Sequence, residues 1–178
     1  MHNEVLKFWF EETQPTQWWT VSPPFDQLIT ARFLNLLTEA AHGELYDWRI
    51  APRGRLAEII VLDQFSRNIH RNTPAAFAQD PTALVLAQEA MAAGALAQLS
   101  PTERSFLLLP YMHSESRAIH VIAENLYREY APQGNYEFEL KHKAIIDRFG
   151  RYPHRNSILG RVSTDEEIEF LKQPGSRF

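Results

Sequence analysis

Leu62-Asp63-Gln64-Phe65-Ser66-Arg67-Asn68-Ile69-His70-Arg71 ends a segment that starts near Arg55 and, Glu58 apart, is apolar from Leu56 up to this point. On a 100° helical wheel, Leu56, Ile59 and Ile60 share a face with Asp63, Arg67 and, a turn later, His70 and Arg71. The spacing predicts a helix over 55–69 whose buried face turns polar toward its end. Asp63 and Arg67 stand four residues apart, the separation that permits an ion pair on that face.

Outward from this stretch the chain repeats helix punctuation and shows scarcely any strand signal. Ser22-Pro23, Thr73-Pro74, Asp80-Pro81 and Ser100-Pro101 read as cap-plus-proline starts, and Gly43, Gly94 and Gly150 as stops. Ser100 with Glu103, and Thr164 with Glu167, have the spacing of capping boxes. Phe25, Leu28, Ile29, Phe33, Leu36 and Leu37 mark an amphipathic helix, and further helices are predicted over 4–11, 114–131 and 135–149. The whole is an all-α chain of about nine helices. No linker or repeat divides it, so a single helical domain over 1–178 is expected, with a basic Pro/Gly-punctuated loop over about 148–161 and a 173–178 tail without core pattern.

Composition narrows the function classes. The 178 residues suffice for a purely hydrophobic core, and the absence of cysteine excludes disulfides, thiolate metal sites and cysteine nucleophiles. No basic leader and no run of roughly 20 apolar residues is present, which predicts a soluble, cytoplasmic protein with no membrane partner. A net charge of −4 and a pI near 6.0 argue against a nucleic-acid partner. Oligomeric state is open.

Two later helices also aim ionisable groups inward. Glu115 falls on the predicted stripe of Ile119, Ile122 and Leu126, just after His113, whereas His120 falls off it. His142 falls on the stripe of Phe138, Ile145, Ile146 and Phe149. Buried charge without partners is expensive, so Asp63, Gln64, Arg67, Asn68, Arg71, His113, Glu115 and His142 are expected to meet one another or to line a wet pocket. Arg148, Arg151, His154, Arg155 and Asn156 of the basic loop could close over it. Each piece has a plainer reading: a structural Asp63–Arg67 pair, a hydrogen-bonded core His142, arginines that cap helices or bind carboxylates such as Glu115, and an aromatic cluster (Phe8, Trp9, Phe10, Trp18, Trp19, Trp48) that is simply core. Asp63, His113, Glu115, His142 and His154 lack metal-ligand spacing and stand beside arginines, so no metal is expected; phosphate loops, dinucleotide fingerprints and GxSxG elbows are absent, so no cofactor is expected either.

The ordered set Leu62–Arg71, Ala76-Phe77-Ala78-Gln79-Asp80, Leu109-Pro110-Tyr111-Met112-His113-Ser114-Glu115, Arg148–Asn156, Leu159-Gly160-Arg161 and Thr164-Asp165-Glu166-Glu167 resembles the bacterial domain of unknown function 924 family. Val5–Phe10 and the Trp18-Trp19 to Phe25-Asp26 region resemble its start. The resemblance implies an all-α fold of antiparallel hairpins, similar to tetratricopeptide-like proteins, and no established activity. The family often has glutamine where this chain has His120.

Three functions remain open. The first is a binding protein whose Arg67, Arg71, Arg151 and Arg155 hold an anionic small molecule or peptide carboxylate, oriented by Asp63, Gln64, His113, Glu115, His142 and Asn156. The second is a hydrolase in which His113 or His142 is the general base and Glu115 orients it. The third is a scaffold whose polar residues only specify packing.

Overall fold

A computed structural model describes residues 1–177. Its helices are α1 (His2–Lys7), α2 (Pro23–Ala41), α3 (Pro52–Ile60), α4 (Ser66–Ile69), α5 (Asp80–Ala92), α6 (Pro101–Met112), α7 (Arg117–Tyr130), α8 (Gln133–Phe149) and α9 (Asp165–Phe170). Short 3₁₀ turns, among them Pro74–Phe77 and Pro153–Arg155, connect them, and no strand occurs among the described residues. The fold is all-α, as the punctuation predicts. Consecutive helices α5/α6, α6/α7 and α7/α8 pack against one another as hairpins.

The opening stretch lies at the centre. Between α3 and α4 the helix widens into a π turn, Val61–Phe65, so the predicted 55–69 helix runs from Pro52 to Ile69 in three parts. α3 packs on α1, α5 and α6, and the π turn packs on α2. Leu56, Ala57, Ile59, Ile60, Val61, Leu62 and Phe65 are sealed from solvent on all sides, the mark of a central helix. Each large side chain among them stabilises the fold by about 1.5–3 kcal/mol. Glu58 is equally buried, and Arg49 compensates its charge with two hydrogen bonds of 2.8 and 2.6 Å. The extra residue in the π turn changes the helical register, which leaves both Asp63 and Gln64 in the interior. Gly54 permits a close approach: a Cβ there would overlap the Trp48 carbonyl.

Phe8, Trp9, Phe25, Phe33, Phe65 and Phe106 form the aromatic heart of the core, with ring centroids 4.7–6.2 Å apart. The wider cluster only partly obeys the core expectation, since Trp19 is 61% exposed. Both capping boxes form, Ser100 with Glu103 and Thr164 with Glu167. Gly150 ends α8 at φ 70, a left-handed conformation that carries little cost without a Cβ.

Several expectations are corrected. α7 starts at Arg117, so Glu115 precedes the helix. Its buried face is His120, Ala123 and Tyr127; Ile119 and Leu126 flank that face, and Ile122 is exposed. α7 packs between α6 and α8, and His120 goes inside because both ring nitrogens find partners there: Nδ1 meets Glu139 at 2.7 Å and Nε2 meets the Ser114 carbonyl at 2.8 Å. Phe138 is likewise exposed, although His142 is buried as predicted. Leu28 of α2 faces solvent. Asp80 does not cap α5; Gln79 stands at the cap, and the Asp80 carboxylate serves two arginines. In the tail, Ser176 is buried and donates to the Leu171 carbonyl, while Phe178 lies outside the described residues.

Candidate functional site

Asp63 is 1% exposed and holds three partners. Gln64 Nε2 donates at 2.6 Å, His113 Nδ1 lies at 2.7 Å, and Arg67 Nη1 at 3.1 Å. Burial alone would raise the Asp63 pKa, but Arg67 and His113 outweigh it and hold the carboxyl well below its usual range. Burial, reinforced by Arg67 and opposed by Asp63, lowers the His113 pKa. Both directions agree on one protonation pattern: ionised Asp63 accepts the Nδ1–H of a neutral imidazole, whose Nε2 is then an acceptor. Arg67 also grips Asp80 with two bonds of 2.9 and 3.0 Å, tying the π turn to the first turn of α5.

Beside this network opens a cleft of about 420 Å³. Its apolar walls include Phe77, Leu84, Pro110 and Leu159, and its polar lining is Asp80, His113, Ser114, Glu115 and Arg155. Arg155 is 6% exposed. Phe77 and Tyr152 cover it at 4.7 and 4.6 Å from the guanidinium carbon to the ring centres, and Nη1 reaches Asp80 at 3.2 Å. Its Nε, sealed from solvent, meets no acceptor. Burial, then the nearby Arg67 charge, lowers the Arg155 pKa. Arg155 shares its one carboxylate with a better-placed competitor and remains under-satisfied.

The other predicted residues fall in separate places. Asn68 and Arg71 both bind Asp26, at 2.8 Å and at 2.6 and 2.8 Å. Arg148 pairs with Glu166 at 2.8 Å on the surface. Arg151 and Asn156 bind Glu167, and Arg161 anchors Asn156. Glu115 accepts two bonds from Arg161 and one from the Tyr152 backbone N–H; burial opposes ionisation, but these donors hold its pKa down. The carboxylate that orients His113 is therefore Asp63 and not Glu115. His142 donates from Nδ1 to the Phe138 carbonyl within α8, and burial pushes its pKa down to about 3; His154, pushed down to about 4 by burial and Arg155, sits against Tyr152. Neither histidine lines the cleft.

Sequence reasoning missed Asp26, Asp80, Glu139, Tyr152, Arg161 and Glu167 as partners. Tyr152 joins much of the region: its ring stacks on Arg155, its N–H holds Glu115, and its hydroxyl donates to the Met112 carbonyl at 2.5 Å. Asp80 carried a signal, an acid at a helix start just after Phe77, but cap chemistry explained it equally well. Among the described residues no three His, Asp or Glu side chains gather in a metal-binding arrangement, and no helix is long and apolar enough to cross a membrane.

A family model described as "Bacterial protein of unknown function (DUF924)" matches residues 5–175. The structure is similar to that of the protein of unknown function ATU0120 from Agrobacterium tumefaciens, with 33% sequence identity, 96% of each chain covered and a TM-score of 0.91. No curated protein matches. The chain belongs to the DUF924 family of bacterial proteins of unknown function.

Proposed function

We propose that the protein, as a single domain in the cytoplasm, binds a small molecule or peptide end carrying an anionic group in the cleft between the Pro74–Phe77 turn, α5, α6 and the Pro153–Arg155 turn. The observation that carries this reading is Arg155: a guanidinium at the cleft wall, nearly sealed from water, with an N–H that no protein acceptor meets. A ligand oxygen supplies that acceptor when the side chains covering the guanidinium shift to admit it, and the apolar walls take the rest of the molecule. Arg67, Asp63 and Gln64 stand behind as a rigid support, while Arg71, Arg148, Arg151, His142 and Asn156 serve packing. The hairpin likeness to tetratricopeptide-like proteins is an analogy for such a groove.

The test is thermal denaturation with acetate, octanoate, inorganic phosphate and sulfate, on the native protein and on Arg155→Gln and Arg155→Lys. An anion that stabilises the native protein, by about 2.7 kcal/mol at 100 times its Kd, and does not stabilise Arg155→Gln supports the reading. Equal stabilisation of both, or none by any anion, contradicts it.

A second reading is favoured by the 2.7 Å Asp63–His113 pair, a buried carboxylate orienting a neutral histidine at a cleft wall. There His113 Nε2 would take a proton from a water whose oxygen attacks an ester carbonyl. Arg155 would face the oxyanion, and the proton would pass to the departing alkoxide. Turnover of p-nitrophenyl octanoate that Arg155→Gln and His113→Asn both abolish supports hydrolysis; no turnover by the native protein excludes it for such esters.

A further inference from the structure

We infer that the ligand enters the cleft as a monocarboxylate with an apolar chain and brings one proton with it, the proton residing between the bound carboxyl group and His113. This deepens the anion-binding reading above and rests on it.

Several hydrogen-bonding groups around the cleft are already used. The carboxylates that line the cleft are satisfied: Asp80 accepts twice from Arg67 and once from Arg155, and Glu115 accepts twice from Arg161 and once from the Tyr152 N–H. What remains includes Arg155, whose Nε meets no acceptor, the Ser114 hydroxyl, and one nitrogen that either accepts or donates, His113 Nε2, since Nδ1 is committed to Asp63. A carboxylic acid has the chemistry to partner both Arg155 and His113. One oxygen accepts from Arg155, and the other shares a proton with the imidazole. An ammonium group offers no acceptor to Arg155.

Charge leads to the same assignment. Arg67, Arg155 and Arg161 are offset by Asp63, Asp80 and Glu115, so the site is neutral before the ligand arrives. A monoanion adds one uncompensated charge in partly desolvated surroundings, which is costly unless a cation forms beside it. His113 lines the cleft and carries the side-chain type that titrates near neutral pH. The charged and titratable groups around it are Asp63 and Arg67 from the central helix, Asp80 from α5, His142 from α8 and His154 from the Pro153–Arg155 turn. Phe77, Leu84, Pro110 and Leu159 offer the walls for an alkyl or aryl chain.

Calorimetric titration of the full chain with octanoate, in buffers of different ionisation enthalpy at neutral pH, tests the inference. The binding heat is expected to vary with the buffer so as to report on the order of one proton taken up per octanoate, and the affinity to fall roughly tenfold per pH unit above neutrality. His113→Asn, which can still donate to Asp63, is expected to bind more weakly and with no proton uptake. Octanoate binding without proton uptake in the native protein overturns the inference while leaving anion binding intact. So does an Arg155-dependent response to phosphate or sulfate with none to octanoate. Failure of every anion overturns both readings. The buffer and pH series on the native protein decides the matter even if the variant does not fold.

Discussion

Arg67→Ala is the sharpest perturbation of the buried network. Arg67 is 19% exposed and is the nearest guanidinium to Asp63, itself 1% exposed; it also supplies two of the three arginine bonds to Asp80. Truncation leaves one carboxylate deep in the core with only Gln64 and His113, and the other with the 3.2 Å contact to Arg155. Breaking a buried pair from one side costs about 3–5 kcal/mol, because the abandoned charge is not rehydrated. For a chain of this size each kcal/mol lowers Tm by about 2–4 °C, so Tm falls by roughly 6–20 °C. Urea denaturation with an unchanged m-value measures the loss directly. Removing both members in Asp63→Asn/Arg67→Met is expected to recover part of it, since no buried anion is then stranded at that position. A loss below about 1 kcal/mol for Arg67→Ala, the cost of an exposed pair, refutes the reasoning and places Asp63 in solvent.

Stability is expected to decline as pH falls below about 6.5. Burial holds His142 at about 3 and His154 at about 4, against an ordinary 6.5, so the unfolded chain binds protons that the folded chain refuses. Glu167, held at about 2 chiefly by its Arg151 hydrogen bonds, adds a further loss between its ordinary 4.5 and 2. Denaturation midpoints at pH 7.5, 5.5, 4.5 and about 3 check this, and His142→Gln should flatten the upper part of the slope. Gly54→Ala should destabilise by more than the gain usual for removing a glycine, because its Cβ overlaps the Trp48 carbonyl; equal or higher Tm contradicts the packing. Ser100→Ala should cost about 1 kcal/mol by opening the capping box at the start of α6, read by the same urea titration.

Helix existence and type were legible because proline, glycine and capping residues mark ends locally, and the Asp63–Arg67 pair was legible because it is a four-residue relation within one helix. What failed depended on neighbours. The α7 wheel pointed Ile122 inward and His120 outward, since an apolar count cannot register that Glu139 and the Ser114 carbonyl make burying an imidazole inexpensive. The arginines were legible as a group, but their acceptors were not: Arg71 finds Asp26 45 residues away and Arg155 finds Asp80 75 residues away. His113 was marked as a candidate from its place just before Glu115, yet its partner is Asp63 rather than Glu115, a choice made by the packing of α6 on the central helix. Arg155 looked like one arginine among several, and only its burial between Phe77 and Tyr152 sets it apart.

The central claim is that Arg155 is the group awaiting a ligand oxygen, and the Nε–H resonance of Arg155 tests it most directly. In a ¹H–¹⁵N titration with octanoate, that resonance is expected to move downfield and saturate, with His113 ring signals changing over the same concentration range. Saturable binding that shifts other residues while the Arg155 Nε–H stays fixed contradicts the account.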